Sequence, residues 1–460
     1  MLIFTGIDLF VSQGYNLSVR GTGVNYYLAI DIGASSGRHI VGREEDGAIK
    51  TEEVYRFSNG CENKGGRLVW NVKRLFSEVI NGLKAAKEKG YKPDYIGIDT
   101  WAVDYALLDK DDNLLGDVSA YRDCGTLKAA EAVHRIISFG ELYKRTGIQF
   151  QNFNTIYRLY ADKSSGKSAC AESMLMLPDY LGFLLTGVKK QEYTNATSTG
   201  LVNAFSKVWD EYIIKKLGLP AKLFGGLSQP STVVGRLKKE ITDEIGYCAT
   251  LILPATHDTA SAVEGIPMTE NSPYISSGTW SLLGLKVGKA ITDENSRKAN
   301  FSNEGGAGYF RYQKNISGMW IVNRLRSELC PDKPFQEIVK EAEDSGFNGC
   351  VDVNDSSFLA PESMKAAFDK SLCVKPQCAG DYFRCAYTSL AQSYKTALDE
   401  LKANAGADFN KLYIVGGGAK NGFLNKLTEE ICNVKVIALP IEASALGNIK
   451  MQIKGSKKYV

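Results

Sequence analysis

The sequence predicts an α/β fold in two domains built on one repeated plan. Three observations lead there. The chain has 460 residues, more than a single hydrophobic core usually serves. Apolar runs of strand length alternate with stretches of helical period, the pattern of mainly parallel sheets covered by helices. One local grammar, strand then small-residue turn then strand, occurs in AIDIGASSGRHIV and again far downstream in YISSGTWSLLGLKV, as expected of a duplicated architecture.

The elements follow in order. Residues 1–25 open with an apolar run that lacks a basic start and carries Asp8, so a secretory signal is not expected, and this leader is expected to lie outside the folded unit. The first folded strand is expected at Tyr27 to Asp31, a turn without bulk from Gly33 to Gly37, and a second strand from Arg38 to Arg43. An amphipathic helix near Val72 to Lys87 and a strand at Tyr95 to Asp99 come next. TWAVDYALLDKDDNLLG then reads as a second hairpin turning at Asp111 to Asn113. Helical segments are expected from Thr126 to about Tyr160, and Leu175 to Val188 reads as a buried helix ended by Gly187. The stretch from Leu251 to Val263, LILPATHDTASAV, reads as strand, turn and helix. The second half starts at Tyr274 to Val287, continues through a helix near Tyr382 to Ala403 and the strand LYIVGGG, and closes with a strand at Val434 to Ala438 and the helical EASALGNIKMQI. Domain limits of 26–266 and 267–460 follow.

Composition narrows the function. Lys and Arg number 55 against 52 acidic residues, so the net +3 supplies no field for nucleic acid or a membrane surface, and small molecules are the better partners. No run approaches a membrane span. Only three histidines (His39, His134, His257) accompany ten cysteines that form no CxxC pair, which argues against zinc and for reduced thiols in a cytoplasmic protein.

Seven stretches carry the candidate chemistry. In DIGASSGR, the small residues Ala34, Ser35, Ser36 and Gly37 leave backbone N–H groups open to a phosphate. Asp31 could hold Mg²⁺ through water and Arg38 could meet phosphate oxygens, or the two could simply pair across a tight hairpin. SSGTWS offers a second such turn, and VGGGAKN ends a strand in glycines that allow a nucleotide to approach closely. Neither VGGGAKN nor the GKS at Gly166 to Ser168 matches a dinucleotide or P-loop fingerprint. DTWAVD sets Asp99, Trp101 and Asp104 at a strand end, suited to a polyol that accepts stacking and carboxylate hydrogen bonds, or else to a buried indole beside a turn cap. In ATHDTASAV, Asp258 stands at a helix start beyond a strand, where ligands of open α/β sheets bind. NEGG and KNISGMW, around Asn303 and Asn315, are polar groups that could line a nucleotide pocket.

Taken together, AIDIGASSGR, GIDTWAVDYALLD, TNATSTGLVN, ATHDTASAV, YISSGTWSLLG, NEGG, KNISGMW, VGGGAKN and EASALGNI, in collinear order from Tyr27 to Ile453, resemble the FGGY carbohydrate kinases. The resemblance implies a two-domain actin-like, ribonuclease-H-like fold with ATP in the cleft between the domains and a ketose beneath the γ-phosphate. It implies Asp258 as catalytic base, His257 and Thr259 on the sugar, and the loop Ala34 to Arg38 on ATP phosphates. Thr279, Asn315, Asn323, Gly417 and Gly418 would face the nucleotide. The expected reaction is ATP- and Mg²⁺-dependent phosphorylation of L-rhamnulose to its 1-phosphate. The alternatives are L-fuculose or another ketose, and a non-catalytic actin-like ATP-binding protein. Two positions depart from the family pattern: Ala102 stands where a sugar-contacting Gly is usual, and Asn323 where Gln is usual.

Overall fold

The computed structural model describes residues 24–268, 271–439 and 442–459, and the expectation for residues 1–23 lies outside them. Two six-stranded sheets form the framework. The first contains β1 (Tyr27–Ile32), β2 (Ser36–Glu45), β3 (Ala48–Ser58), β4 (Tyr95–Thr100), β5 (Val233–Arg236) and β6 (Thr250–Ile252) in the order β5-β6-β4-β1-β2-β3. The second contains β7 (Tyr274–Ser277), β8 (Trp280–Val287), β9 (Ser302–Gly305), β10 (Phe310–Ser317), β11 (Lys411–Val415) and β12 (Lys435–Leu439) in the order β9-β10-β8-β7-β11-β12.

The two sheets share one plan. An antiparallel meander, β1-β2-β3 in one and β7-β8-β10 in the other, continues into two parallel strands, β4 and β6 or β11 and β12. Each sheet then adds one antiparallel strand of its own, β5 beside β6 and β9 beside β10. β1 and β4 are buried along their whole length because helices cover both faces, which explains why they read as unbroken apolar runs. On one of those faces α1 (Val72–Glu88) buries Leu75, Val79 and Leu83, and the Asn71 side chain caps it by accepting Arg74 N–H at 3.0 Å.

The structure differs from the sequence reading where pairing is not local. The strand Tyr105–Leu108 turns back at Asp111 to Asn113 as expected, with Leu108 bridging Leu114 and Leu115 N–H donating to the Leu107 carbonyl at 2.8 Å, but its longer ladder runs to Ser173–Met176, so the first residues of the expected buried helix are strand and the helix α2 is Leu177–Thr186. Gly187 ends α2 with φ 75°, the left-handed stop that the sequence marks. The helical region after Thr126 divides at Ser138 and Gly147 into shorter helices. β3 escapes the reading because only Val54 and Phe57 of its eleven residues are buried, which leaves no apolar alternation to read.

Two helices exchange sides. α3 (Asp258–Gly265) follows β6 of the first sheet, yet its Ala262 and Val263 pack with Tyr274, Tyr413 and Val415 of the second. With α4 (Ala379–Ala405) packed in the second lobe's core, the final helix α5 (Ala443–Tyr459) returns to the first sheet, where Ala445, Ile449 and Ile453 meet Tyr27, Ala29 and Tyr95. The exchange needs glycine: a Cβ on Gly447 would lie 1.8 Å from the Ser261 carbonyl oxygen, and one on Gly265 2.0 Å from that of Ala443. The lobes are thus joined at a helix crossing that lies directly behind Asp258. Among the described residues no helix is long and apolar enough to cross a membrane.

Candidate active site

The site forms where β1, β4 and β6 end. Asp31 and Asp99 are register partners on the parallel strands β1 and β4, and Asp258 begins α3 after β6, so three carboxylates converge at the carboxyl ends of neighbouring strands. The N-cap of α3 is His257, not Asp258; Asp258 is the first helical residue, with Oδ1 accepting the Thr259 N–H at 2.6 Å and hydroxyl at 3.2 Å. Its side chain keeps 29% of its surface open to the cleft. Burial pushes the Asp258 carboxyl above the ordinary aspartate range, the neighbouring His257 opposes that rise, and Asp31 adds to it. A carboxylate so tuned holds a proton more readily than a free one, which is what a base in phosphoryl transfer requires.

Asp99 is deeper. It is fully buried, its Oδ2 accepts from Asn448 of α5 at 2.5 Å, and its Oδ1 has no hydrogen-bond partner among the described residues. Burial first, and Asp31 second, hold its carboxyl well above the usual range. Asp31 faces Arg38 across the hairpin, where Arg38 Nε and Nη2 donate to Oδ2 at 3.0 and 2.8 Å, and Arg38 also meets Glu442 at the foot of α5. The loop between them is open: Ser35 and Ser36 are exposed and Ala34 is partly covered, while Gly37 is required because a Cβ there would lie 2.2 Å from the Phe57 ring.

Beside this hairpin lies a cavity of about 280 Å³ between the lobes. Arg38 and Arg56 line it from the first lobe, Ser276, Gly416, Gly417 and Lys420 from the second, and Ala262, one turn along α3 from Asp258, forms part of its wall. Three cations around a glycine-lined space suit a polyphosphate. The second hairpin turn is built differently: Gly278 N–H donates to the Trp280 carbonyl, and the carbonyls of Gly278 and Thr279 accept from Met319 and Trp320 at a helix start. Thr279 is exposed there. Gly418 has another task from Gly417, since a Cβ on it would lie 2.0 Å from Ser277 Oγ, so it seats the glycine turn on the second hairpin. Asn315, on β10, and Asn323, exposed on the helix Trp320–Leu329, are not among the residues that line this cavity.

The DTWAVD stretch turns its polar groups inward. Asp104 is fully buried and receives Trp70 Nε1 at 2.6 Å, Trp101 Nε1 at 2.8 Å, Tyr121 N–H at 3.1 Å and Arg158 Nη1 at 2.8 Å. Between them Asp104 N–H bonds back to the Ala102 carbonyl at 3.0 Å while Val103 adopts φ 69°, a three-residue turn that a β-branched residue rarely accepts. Ala102 itself is partly exposed. Asn303 is spent between the lobes, its Nδ2 on the carbonyls of Gly147 and Ile291 at 3.1 and 2.8 Å, rather than on a nucleotide pocket. Arg56 stands outside any motif, and Lys420 in VGGGAKN and Glu442 at the start of EASALGNI carry no local signal of the cavity they line.

The sequence of this molecule matches two family models, the N-terminal domain of the FGGY carbohydrate kinases over residues 26–265 and their C-terminal domain over residues 273–455. The chain belongs to the FGGY family of carbohydrate kinases. As a sugar kinase it uses ATP as co-substrate. Among similar proteins are the rhamnulokinase of Oceanobacillus iheyensis, 44% identical with 93% of this chain and 92% of that protein covered, and the rhamnulokinase of Bacillus subtilis, 37% identical with 94% and 90% covered. Solved structures with the same FGGY fold include ligand-bound xylulose kinase from Lactobacillus acidophilus, TM-score 0.79 at 17% identity over 94% of this chain and 90% of that one. Glycerol kinase from Plasmodium falciparum with ADP aligns with TM-score 0.73 at 15% identity over 95% and 90%.

Proposed function

We propose that this kinase phosphorylates L-rhamnulose on its first carbon, with residues 26–266 serving the sugar and 267–460 the nucleotide. Asp258 carries the reading: it is the carboxylate that is both raised by burial and open to the cleft, one helical turn from the cation-lined cavity. In this scheme Asp258 orients the 1-hydroxyl and accepts its proton as the oxygen attacks the γ-phosphorus, with ADP leaving. Arg38 gives up its bonds to Asp31 and Glu442 to meet phosphate oxygens, and the turn at Ala34, Ser35, Ser36 and Gly37 supplies backbone N–H donors. Thr279 and Gly417 meet the nucleotide from the second lobe and Gly418 serves it by seating the glycine turn, while Asn315 and Asn323, outside the cavity lining, take no part in this scheme. His257 and Thr259 touch the sugar beside Asp258, and Ala102 borders it, held in place by Trp101 and Asp104.

Among the described residues no three acidic, histidine or cysteine side chains stand close enough to cage a metal ion. The donors at the site are carboxylate oxygens, which suits Mg²⁺, an ion that keeps most of its waters and is bound by few protein ligands together with phosphates. Asp31 would hold it through water, and it would supply charge neutralisation on the phosphates.

The reading is tested by coupled ADP-release assays on L-rhamnulose, L-fuculose and L-xylulose with and without Mg²⁺. L-Rhamnulose is expected to give the highest kcat/KM. A preference for L-fuculose or L-xylulose would leave a ketose kinase with another substrate, an outcome that the methyl of Ala102 at the pocket border would explain.

A further inference from the structure

The second lobe reaches into the sugar site through a pair that no motif announces. Glu304 on β9 and Arg311 on β10 are register partners in the second sheet. Arg311 is fully buried; its Nη2 donates to Glu304 Oε2 at 2.9 Å, its Nε to the Gly305 carbonyl at 3.0 Å, and its Nη1 reaches Gln313 Oε1 at 3.4 Å. The same two side chains converge on one ring nitrogen of the first lobe. His257 Nδ1 lies 3.0 Å from Glu304 Oε2 and 3.1 Å from Arg311 Nη2, while its Nε2 lies 3.5 Å from Asp258 Oδ1. The imidazole therefore bridges a carboxylate of the second lobe and the candidate base of the first.

This arrangement restrains the ring. His257 caps α3 with backbone alone, its side chain making no cap bond, so among the described residues Glu304 and Arg311 are the partners that hold its Nδ1 and set how the imidazole is turned. The strand that carries Glu304 is itself docked on the first lobe: Asn303 N–H donates to the Gly147 carbonyl at 2.8 Å, and Gly305 N–H to Thr197 Oγ1 at 2.8 Å. Burial opposes a charge on Glu304, but Arg311 and His257 outweigh it and bring its carboxyl down to about 2, so the pair stays ionised.

We infer that Glu304, charged and held by Arg311, is a positioning residue of the kinase reaction: it orients His257 from the second lobe so that Nε2 faces Asp258 and the ketose hydroxyl. The inference rests on the proposed function, because it needs Asp258 and His257 to act on a sugar. Its consequence is that the sugar site, although carried by the first lobe, is complete only with β9 docked.

A double-mutant cycle tests it, with steady-state constants for both substrates and thermal melting of each variant. Glu304→Gln keeps the volume and removes the charge. It is expected to lower kcat/KM for the ketose by roughly 10- to 100-fold, the scale of a misplaced catalytic group, and to leave KM for ATP within about twofold. Because Glu304 acts through His257, adding Glu304→Gln to His257→Ala is expected to cost nothing further. Glu304→Asp, which keeps the charge beside Arg311, carries the same cycle if the glutamine variant fails to fold. Additive losses, or a fall in ATP and ketose constants alike, would overturn the inference while leaving the sugar-kinase reading in place. A wild-type protein that turns over no ketose at all would remove both.

Discussion

The two hairpin turns that face the cleft have the same backbone grammar and different chemistry. In the first lobe the turn is flanked by Asp31 and Arg38, paired across β1 and β2 and adjoining Asp99 and Asp258. In the second lobe the last register pairs before the turn are Ser276 with Leu282 and Ser277 with Ser281, none of them charged, and the turn is braced by backbone N–H groups of Met319 and Trp320. The two turns share their geometry, whereas charge has been placed on one of them, on the side where Asp258 and the residues proposed to face the sugar lie. A kinase needs this asymmetry: protons and the developing charge of phosphoryl transfer concentrate near the acceptor hydroxyl, while the far end of the nucleotide needs only shape and neutral donors.

The asymmetry can be broken most severely at Asp258. Asp258→Asn is expected to keep ATP binding and lose about 10²- to 10⁴-fold in kcat, the usual contribution of a general base. In the wild type the acid limb of kcat/KM should fall above the ordinary aspartate value of about 3.9, because burial raises this carboxyl, and the asparagine variant should lack that limb. Stability moves the other way. A group whose folded pKa is raised contributes stability that is fully present below its unfolded pKa and is lost as pH rises through the folded value, so at neutral pH the ionised Asp258 weighs against folding. Melting at pH 7 should therefore show the asparagine variant no less stable than wild type. An unstable variant with normal turnover would show that Asp258 is a structural cap.

The charged and neutral turns can next be compared directly. Arg38→Gln removes charge-assisted bonds of about 1.5–3 kcal/mol and is expected to lower kcat/KM for ATP by roughly 10- to 150-fold. Thr279→Ala removes one neutral donor of about 0.5–1.5 kcal/mol and should cost roughly 2- to 12-fold. ATP titrations of the two variants decide it; equal losses would mean that the turns share the phosphates evenly.

The smallest effect is expected at Ala102. The Asp104 carboxylate, anchored by two indoles and Arg158, fixes the turn at Val103, so the backbone beside Ala102 has already taken a shape that accepts the methyl group. Ala102→Gly should change kcat/KM for L-rhamnulose less than about fivefold, below the 1–3 kcal/mol that an overpacked site costs. A large gain on L-rhamnulose in the glycine variant would show that the methyl does intrude.

What the sequence by itself determined is whatever depends on neighbours along the chain. Alternation of apolar and small residues located β1, β2, β4, β7 and β8, Gly187 ended a helix, and the strand, turn and helix from Leu251 to Val263 put Asp258 at a strand end. Local sterics and periodicity decide these features before any distant contact forms. Tertiary structure decided the partners. The strand Tyr105–Leu108 took Ser173–Met176 as its sheet partner beyond its local turn, α3 and α5 exchanged lobes through glycines that meet only at the crossing, and Asp104 became an internal anchor. Glu304 and Arg311 met His257 across the lobe boundary. A charged side chain carries no local signal of the group it will face, because the Coulomb and desolvation terms that fix its partner exist only once the fold has brought the two together and removed the water between them.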